Sequence, residues 1–190
     1  MSAEHDPSQR YAPSFSFRNR LLRVIWMAVW TCLCRFTPPP LWGWRRLILR
    51  LFGARIGQGA RIYGSTRIWL PGNLDLGSGA MLGRGVNCYN QGRITIGTAT
   101  VVSWNATLCS STHNFNDPQF PLVLRPIWIG SGVWIAAEAF VGPGVRIDDG
   151  AVLGARSVAM SDLAGWALYF GNPAQKIRDR PQNSIGMGDQ

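Results

Sequence analysis

A chain of 190 residues with 46% hydrophobic and 15% charged residues, 22 Gly and 12 Pro has the composition of one ordered domain, not of a disordered tail or a two-domain enzyme. A domain near this size buries roughly 70% of its extended surface, so it needs neither disulfides nor a structural metal to fold. Its four cysteines, Cys32, Cys34, Cys88 and Cys109, form no C-x-x-C pair and point to a reducing, cytoplasmic compartment. The formal net charge of +9 is concentrated at one end, because residues 1–55 carry nine Arg against only Glu4 and Asp6.

In chain order, residues 1–13 read as a disordered lead-in that contains His5. Residues 14–54 read as a helical, amphipathic segment broken at Pro38 to Pro40, with Trp26, Trp30, Trp42 and Trp44 interleaved with Arg. Its longest uncharged apolar stretch, Val24 to Cys34, is closed by Arg23 and Arg35 and is too short for a spanning helix, which needs about 20 residues. The stretch lies well inside the chain and no A-x-A-like site follows it, which argues against a cleaved signal peptide. Two roles stay open: a cap on the first turn of whatever follows, and peripheral contact with a membrane surface through residues 15–52. Binding of nucleic acid is not expected, since no nucleic-acid motif accompanies the basic residues.

Residues 55–165 carry an internal repeat. An aliphatic or small apolar residue returns every six positions, as Ile56, Ile62, Ile68, then Leu76, Leu82, Cys88, then Ile96, Val102, Leu108. After an inserted loop, 113–126, the pattern resumes as Ile129, Ile135, Val141, Ile147 and Leu153. A small or β-branched residue follows four positions later, from Ala60 and Thr66 through Thr112 to Ser157. A period of six fits neither a helix face nor a meander. It predicts short strands joined by tight turns, three to a triangular coil, stacked in parallel around a continuous apolar interior. Gly after the aliphatic residue at 57, 77, 83, 97, 130, 142 and 154 is read as permitting the corner conformation. Residues 166–190 read as a C-terminal segment, a short helix and a tail.

These repeats, with G-W-R-R at Gly43, I-W-L-P at Ile68, S-S-T-H-N-F-N-D-P at Ser110, A-A-E-A-F-V-G-P-G-V at Ala136 and G-N-P-A at Gly171, resemble the hexapeptide-repeat acyltransferases. The likeness extends from S-F-S-F-R-N-R-L at Ser14 to Arg180 and is nearest to the O-acetyltransferases of colanic-acid and related exopolysaccharide biosynthesis. The resemblance implies an all-β fold, a left-handed parallel β-helix of about five coils with an N-terminal helical segment. Its hand comes from the resemblance alone, because the usual crossover preference is right-handed.

Only two His exist, so the three-His zinc site of a β-helical carbonic anhydrase is excluded and no metal is expected. His113 stands at the root of the one internal insertion, where a repeat scaffold places its binding residues. Acyl transfer to a hydroxyl needs a base, and imidazole is suited to that task; a loop histidine that merely caps a turn is the bland alternative. The resemblance places the family's catalytic His at His113. No Ser or Cys sits in a nucleophile elbow, which favours direct attack by the acceptor on bound acetyl-CoA.

The resemblance further implies a homotrimer with acetyl-CoA lying between neighbouring subunits. Trp134 and Ala137 would meet the pantetheine arm and the carbonyl oxygen, with the Ala137 backbone N–H as oxyanion donor. Ala155 would lie beside the pantetheine and Arg178 near the nucleotide phosphates. The Thr-Lys pair common in that coil is Met160-Ser161 here, which puts phosphate contacts at that point in doubt. On the acceptor side Asn90 matches a position that holds sugar hydroxyls. Asn87 is the weaker candidate, and Asp117 either orients His113, binds the acceptor or starts a turn before Pro118. Glu138 is either an exposed corner or a site contact. The expected activity is acetyl transfer from acetyl-CoA to a sugar hydroxyl in exopolysaccharide assembly, at the cytoplasmic side, with peripheral attachment to the inner face of the cell membrane as an addition. The rival expectations are transfer to an amino sugar or small molecule, and a non-catalytic membrane-associated scaffold.

Overall fold

The computed structural model describes residues 15–182, so the lead-in expected over 1–13 and the last eight residues of the tail lie outside the described residues. Five complete three-strand coils follow one another: strands begin at Arg55, Arg61 and Arg67 in the first and at Arg146, Val152 and Val158 in the fifth. A partial sixth coil adds the bridge from Ile147 to Leu163 and the strand Ala167–Phe170. Strands from successive coils pair in parallel and in register, as Ile56 with Leu76 and Leu76 with Ile96, giving the three long sheets of a prism.

All fourteen residues of the six-residue period point inward and are at most 7% exposed. Their stacks, such as Ile62, Leu82, Val102, Ile135 and Leu153, form the core, and truncating one Ile or Leu to Ala costs about 2–5 kcal/mol. The small residue four positions later is buried as well, with one exception. Thr112 is exposed because the chain leaves the coil there to form the antiparallel hairpin Ser111–His113 with Leu122–Leu124. The solenoid itself ignores this insertion: Ile127 stacks on Ile94 and Ile129 on Ile96.

The glycines sit where expected but for a different reason. In ten turns a left-handed residue lies three positions after the inward aliphatic, at Gly59, Gly79, Gly85, Gly132, Gly144 and Gly150 and at Ala99, Asn105, Glu138 and Arg156, whereas Ser65 after Ile62 is not left-handed. The glycine directly after the aliphatic has ordinary φ and is required by close approach. A Cβ on Gly77 would lie 2.5 Å from the Thr98 nitrogen of the next coil, and one on Gly97 would lie 2.5 Å from the Gly130 carbonyl carbon.

Helix α1, Phe17–Leu33, is capped by the Ser16 side chain and lays Trp26 and Trp30, one turn apart, on the first coil. Their indole N–H groups donate to the carbonyls of Ile68 (2.7 Å) and Gly64 (3.1 Å). Helix α2, Trp42–Leu51, closes the end of the prism through Ile48 and Leu49, which are buried against the core. Both helices thus lie against the first coil. At the other end the expected short helix is absent: residues 167–179 form an antiparallel hairpin, Ala167–Phe170 with Gln175–Asp179. The antiparallel last strand occupies the edge on which a further parallel coil would stack.

Candidate active site

His113 ends the first strand of the inserted hairpin, opposite Leu122. Its Nδ1 lies 2.5 Å from the carbonyl oxygen of Phe120, and a carbonyl can only accept, so Nδ1 carries the proton. The lone pair of a neutral ring is thereby fixed on Nε2, and the carbonyl is placed to stabilise the ring once Nε2 is protonated. Asp117 does not orient the ring. Its Oδ1 accepts from the Gln119 N–H (2.9 Å) and its carbonyl from the Phe120 N–H (2.9 Å), so it builds the turn that delivers the Phe120 carbonyl to His113.

His113 is exposed and lines two clefts. One, of about 520 Å³, lies on the loop side with Asn114, Arg125 and Met160. Met160, the departure from the common Thr, thus belongs to the His113 neighbourhood. The other cleft, of about 500 Å³, is bounded by Phe15 just before α1, by Arg20 and Arg23 of α1, and by Trp69, Tyr89 and Gln91 from the first two coils.

Trp134, Ala137, Ala155 and Arg178 come together in a separate groove of about 650 Å³. Small residues, Ala136, Ala137, Gly154 and Ala155, line part of it, and the Trp134 indole is held by an N–H bond to Ser103 Oγ (2.9 Å). The Ala137 carbonyl accepts from the Arg156 N–H at 2.9 Å, and no acceptor among the described residues takes its own N–H. Arg178 joins none of the ion pairs among the described residues, so its charge is open to a ligand. Arg180 at the same groove is instead committed to the Gly150 carbonyl (2.8 Å). Glu138 is a corner residue that pairs with Arg156 at 2.5 Å, an ion pair that holds the Arg156 guanidinium above its ordinary pKa.

Two acceptor-side expectations change. Asn90 is wholly buried, its Oδ1 accepting from the Trp69 N–H (2.9 Å) and Leu70 N–H (3.2 Å) and its Nδ2 donating to the Leu70 carbonyl (2.6 Å). It braces the backbone beneath Trp69 and cannot reach a sugar. Asn87 is half-buried in the ladder between Arg67 and Thr107 and lies outside both His113 clefts. The sequence reading did not single out Arg23, Trp69, Tyr89 and Gln91 as neighbours of His113; the twenty-residue spacing of Trp69 and Tyr89, each one position after an inward residue, was the available signal.

No family model matches the chain. It is 42% identical over 162 residues to the Escherichia coli K12 protein named "Putative colanic acid biosynthesis acetyltransferase WcaF", covering 85% of this chain and 89% of the relative. The chain belongs to the hexapeptide-repeat acetyltransferases. A Staphylococcus aureus relative named as an acetyltransferase is 36% identical over 121 residues, 58% of this chain and 60% of that protein. Among solved structures, a galactoside acetyltransferase in complex with coenzyme A superposes with a TM-score of 0.81 at 18% identity, covering 98% of this chain and 97% of that one. A Vibrio cholerae hexapeptide-repeat acetyltransferase with acetyl-CoA superposes at 0.81 and 18% identity, covering 90% and 94%. A rigid superposition cannot overlay helices of opposite hand, and the fold is the left-handed β-helix of this family. The protein is an acetyl-CoA-dependent acetyltransferase.

Proposed function

We propose that this acetyltransferase moves the acetyl group of acetyl-CoA to a hydroxyl of a sugar in exopolysaccharide assembly, with His113 as general base. The observation that carries the reading is the bond from His113 Nδ1–H to the Phe120 carbonyl, which leaves Nε2 as a positioned proton acceptor. The acceptor oxygen attacks the thioester carbonyl as its proton passes to Nε2. The Ala137 N–H stabilises the developing oxyanion, the C–S bond breaks, and the thiolate takes the proton back from Nε2. His113→Ala is expected to lower kcat by a hundredfold or more, to about 10⁻² of wild type, with acetyl-CoA affinity unchanged. An undiminished rate overturns the assignment.

In one chain the base and the donor groove are separate cavities, which supports a site completed by a neighbouring copy in a homotrimer. Mixing His113→Ala with Arg178→Ala chains by co-refolding then restores about a quarter of the sites, one wild-type half from each parent. Sedimentation as a monomer, or no recovery on mixing, refutes this arrangement.

No described helix is long and apolar enough to cross a membrane. Yet α1 exposes Phe17, Leu21, Val24 and Met27 along one stripe, and α2 exposes Leu47 and Leu51. With nine Arg against two acidic residues in the first 55, these faces suit peripheral binding to an anionic bilayer, at the cytoplasmic face. Co-sedimentation with phosphatidylglycerol vesicles, weakened by Val24→Asp and by salt, is the expected result. Equal partition with and without vesicles discards it.

A further inference from the structure

The cleft between α1 and His113 has a composition that the acetyl-transfer chemistry alone does not require. Arg20 and Arg23 enter it from one side, no Asp or Glu lines it, and neither Arg joins an ion pair among the described residues. The Arg23 guanidinium carbon lies over the Trp69 ring, 3.3 Å from its centroid, and Trp69 meets Tyr89 edge-on with ring centroids 4.9 Å apart. This stacking fixes a cation without consuming its N–H donors.

Two further atoms on the same wall have no partner among the described residues. They are the buried Trp69 indole N–H and the Oε1 of Gln91, a residue only 7% exposed whose Nε2 donates to Tyr89 OH (2.9 Å). Buried side-chain polar groups are as a rule satisfied, and besides Asn19 Oδ1 and Asp75 Oδ1 these are the two exceptions among the described residues; an orphan donor and an orphan acceptor on residues that line one cleft are what hydroxyls, which both give and receive, would complete. The wall is also stiff. Asn90 holds Trp69 and Leu70 from below, and Asn73 Nδ2 donates to the Gln91 carbonyl at 2.7 Å. A site whose desolvated groups are held rigidly and left unpaired is pre-organised for a ligand.

We infer that this cleft is the acceptor subsite and that it selects a sugar bearing an anionic group, phosphate or carboxylate, held by Arg20 and Arg23, while Trp69 and Gln91 bind hydroxyls and His113 faces the one to be acetylated. The inference rests on the general-base reading of His113 but is read by a different measurement. Binding of glucose 1-phosphate, glucuronate and methyl glucoside is measured by calorimetry at saturating CoA, so that the donor groove and Arg178 are occupied.

At least one charged sugar is expected to bind tenfold or more tightly than methyl glucoside. Arg20→Gln and Arg23→Gln should each abolish most of that preference, while Arg23→Lys keeps part of it. Which of the two charged sugars binds distinguishes a phosphorylated from a uronic acceptor. Arg20 is exposed, so its variant tests the charge without risk to packing. His113→Ala should leave these affinities intact while lowering kcat, so failure of the base assignment and failure of the subsite give different results. Equal binding of charged and neutral sugars, binding unaffected by either Arg→Gln change, or no binding of any of the three overturns the inference.

Discussion

Arg45 ties the two N-terminal helices to the solenoid, and its removal tests how the cap is held. The side chain is 1% exposed and donates to Thr37 Oγ1 and to the carbonyls of Thr37 (2.7 Å), Pro38 (2.6 Å), Pro39 (3.3 Å) and Ile62 (3.1 Å). It therefore stitches the turn between α1 and α2 to itself and to the first coil. Burial lowers the pKa of this guanidinium from its ordinary value, with the neighbouring Cys34 thiol acting in the opposite sense. Arg45→Met keeps most of the stem volume but leaves the Thr37 and Ile62 carbonyls short of a donor, whereas the Pro38 carbonyl still accepts from the Leu41 N–H and Pro39 is exposed to water. At about 1 kcal/mol for each of the two stranded groups, the loss is about 2 kcal/mol. Because a solenoid is stabilised neighbour by neighbour, this loss should fall on the cap and not on the whole molecule. Hydrogen exchange read by mass spectrometry is expected to show protection over residues 17–51 reduced by about 30-fold, with the strands from Leu74 onward unchanged. Acceptor binding should weaken with it, since α1 carries Arg20 and Arg23. Unaltered exchange over 17–51, or an equal loss throughout the chain, refutes the reasoning.

Gly154→Val places a side chain against the Phe170 ring, whose atoms lie 2.2 to 2.5 Å from an added Cβ. Phe170 is 43% exposed and can yield into the donor groove, so acetyl-CoA should bind roughly tenfold more weakly by calorimetry with little change in Tm. Gly77→Ala has no such outlet, because its Cβ meets backbone of the next coil. A loss of about 3 kcal/mol or more is expected in thermal or denaturant unfolding, against none for Gly72→Ala, whose nearest atom is 3.9 Å away. Burial pushes the Cys88 thiol up to about 12 and the Cys34 thiol up to about 11, so both are almost entirely protonated at pH 8. Iodoacetamide should label exposed Cys32 and spare Cys34 and Cys88 until the chain unfolds, as mass spectrometry of peptides would show.

The solenoid was legible because one physical cause, a three-sided coil with one inward residue per side, writes a period of six directly into Ile56, Ile62, Ile68 and their successors. That Trp134, Ala137, Ala155 and Arg178 share one groove was legible only through resemblance, as nothing about Ala137 or Ala155 in isolation suggests a ligand. Asn90 was misread because a polar residue beside an inward slot can face the ligand or turn under the next strand, and only the backbone geometry at Trp69 decides. The role of α1 in the His113 cleft was hidden for a related reason: the spacing of Trp26 and Trp30 marks a packed face but not the surface it packs on. At the C-terminus the six-residue period ends, and with no pattern left to follow the antiparallel strand of Gln175–Asp179 was taken for a helix.

The register of Ile127 on Ile94 across the insertion has a consequence for how such a catalyst can diversify. The segment from Ser110 to Pro126 leaves and rejoins the stack without altering the pairing on either side. Lengthening it changes only loop-closure entropy, about 0.6 kcal/mol for a doubling. His113 and the turn that sets its tautomer therefore sit on a module that can be exchanged between relatives while the prism, its caps and the donor groove stay as they are. The base is in this sense a graft, whereas the wall of Arg20, Arg23, Trp69 and Gln91 that faces it belongs to α1 and the coils, so exchanging residues 110–126 between chains of this architecture should change the rate of transfer more than the choice of acceptor.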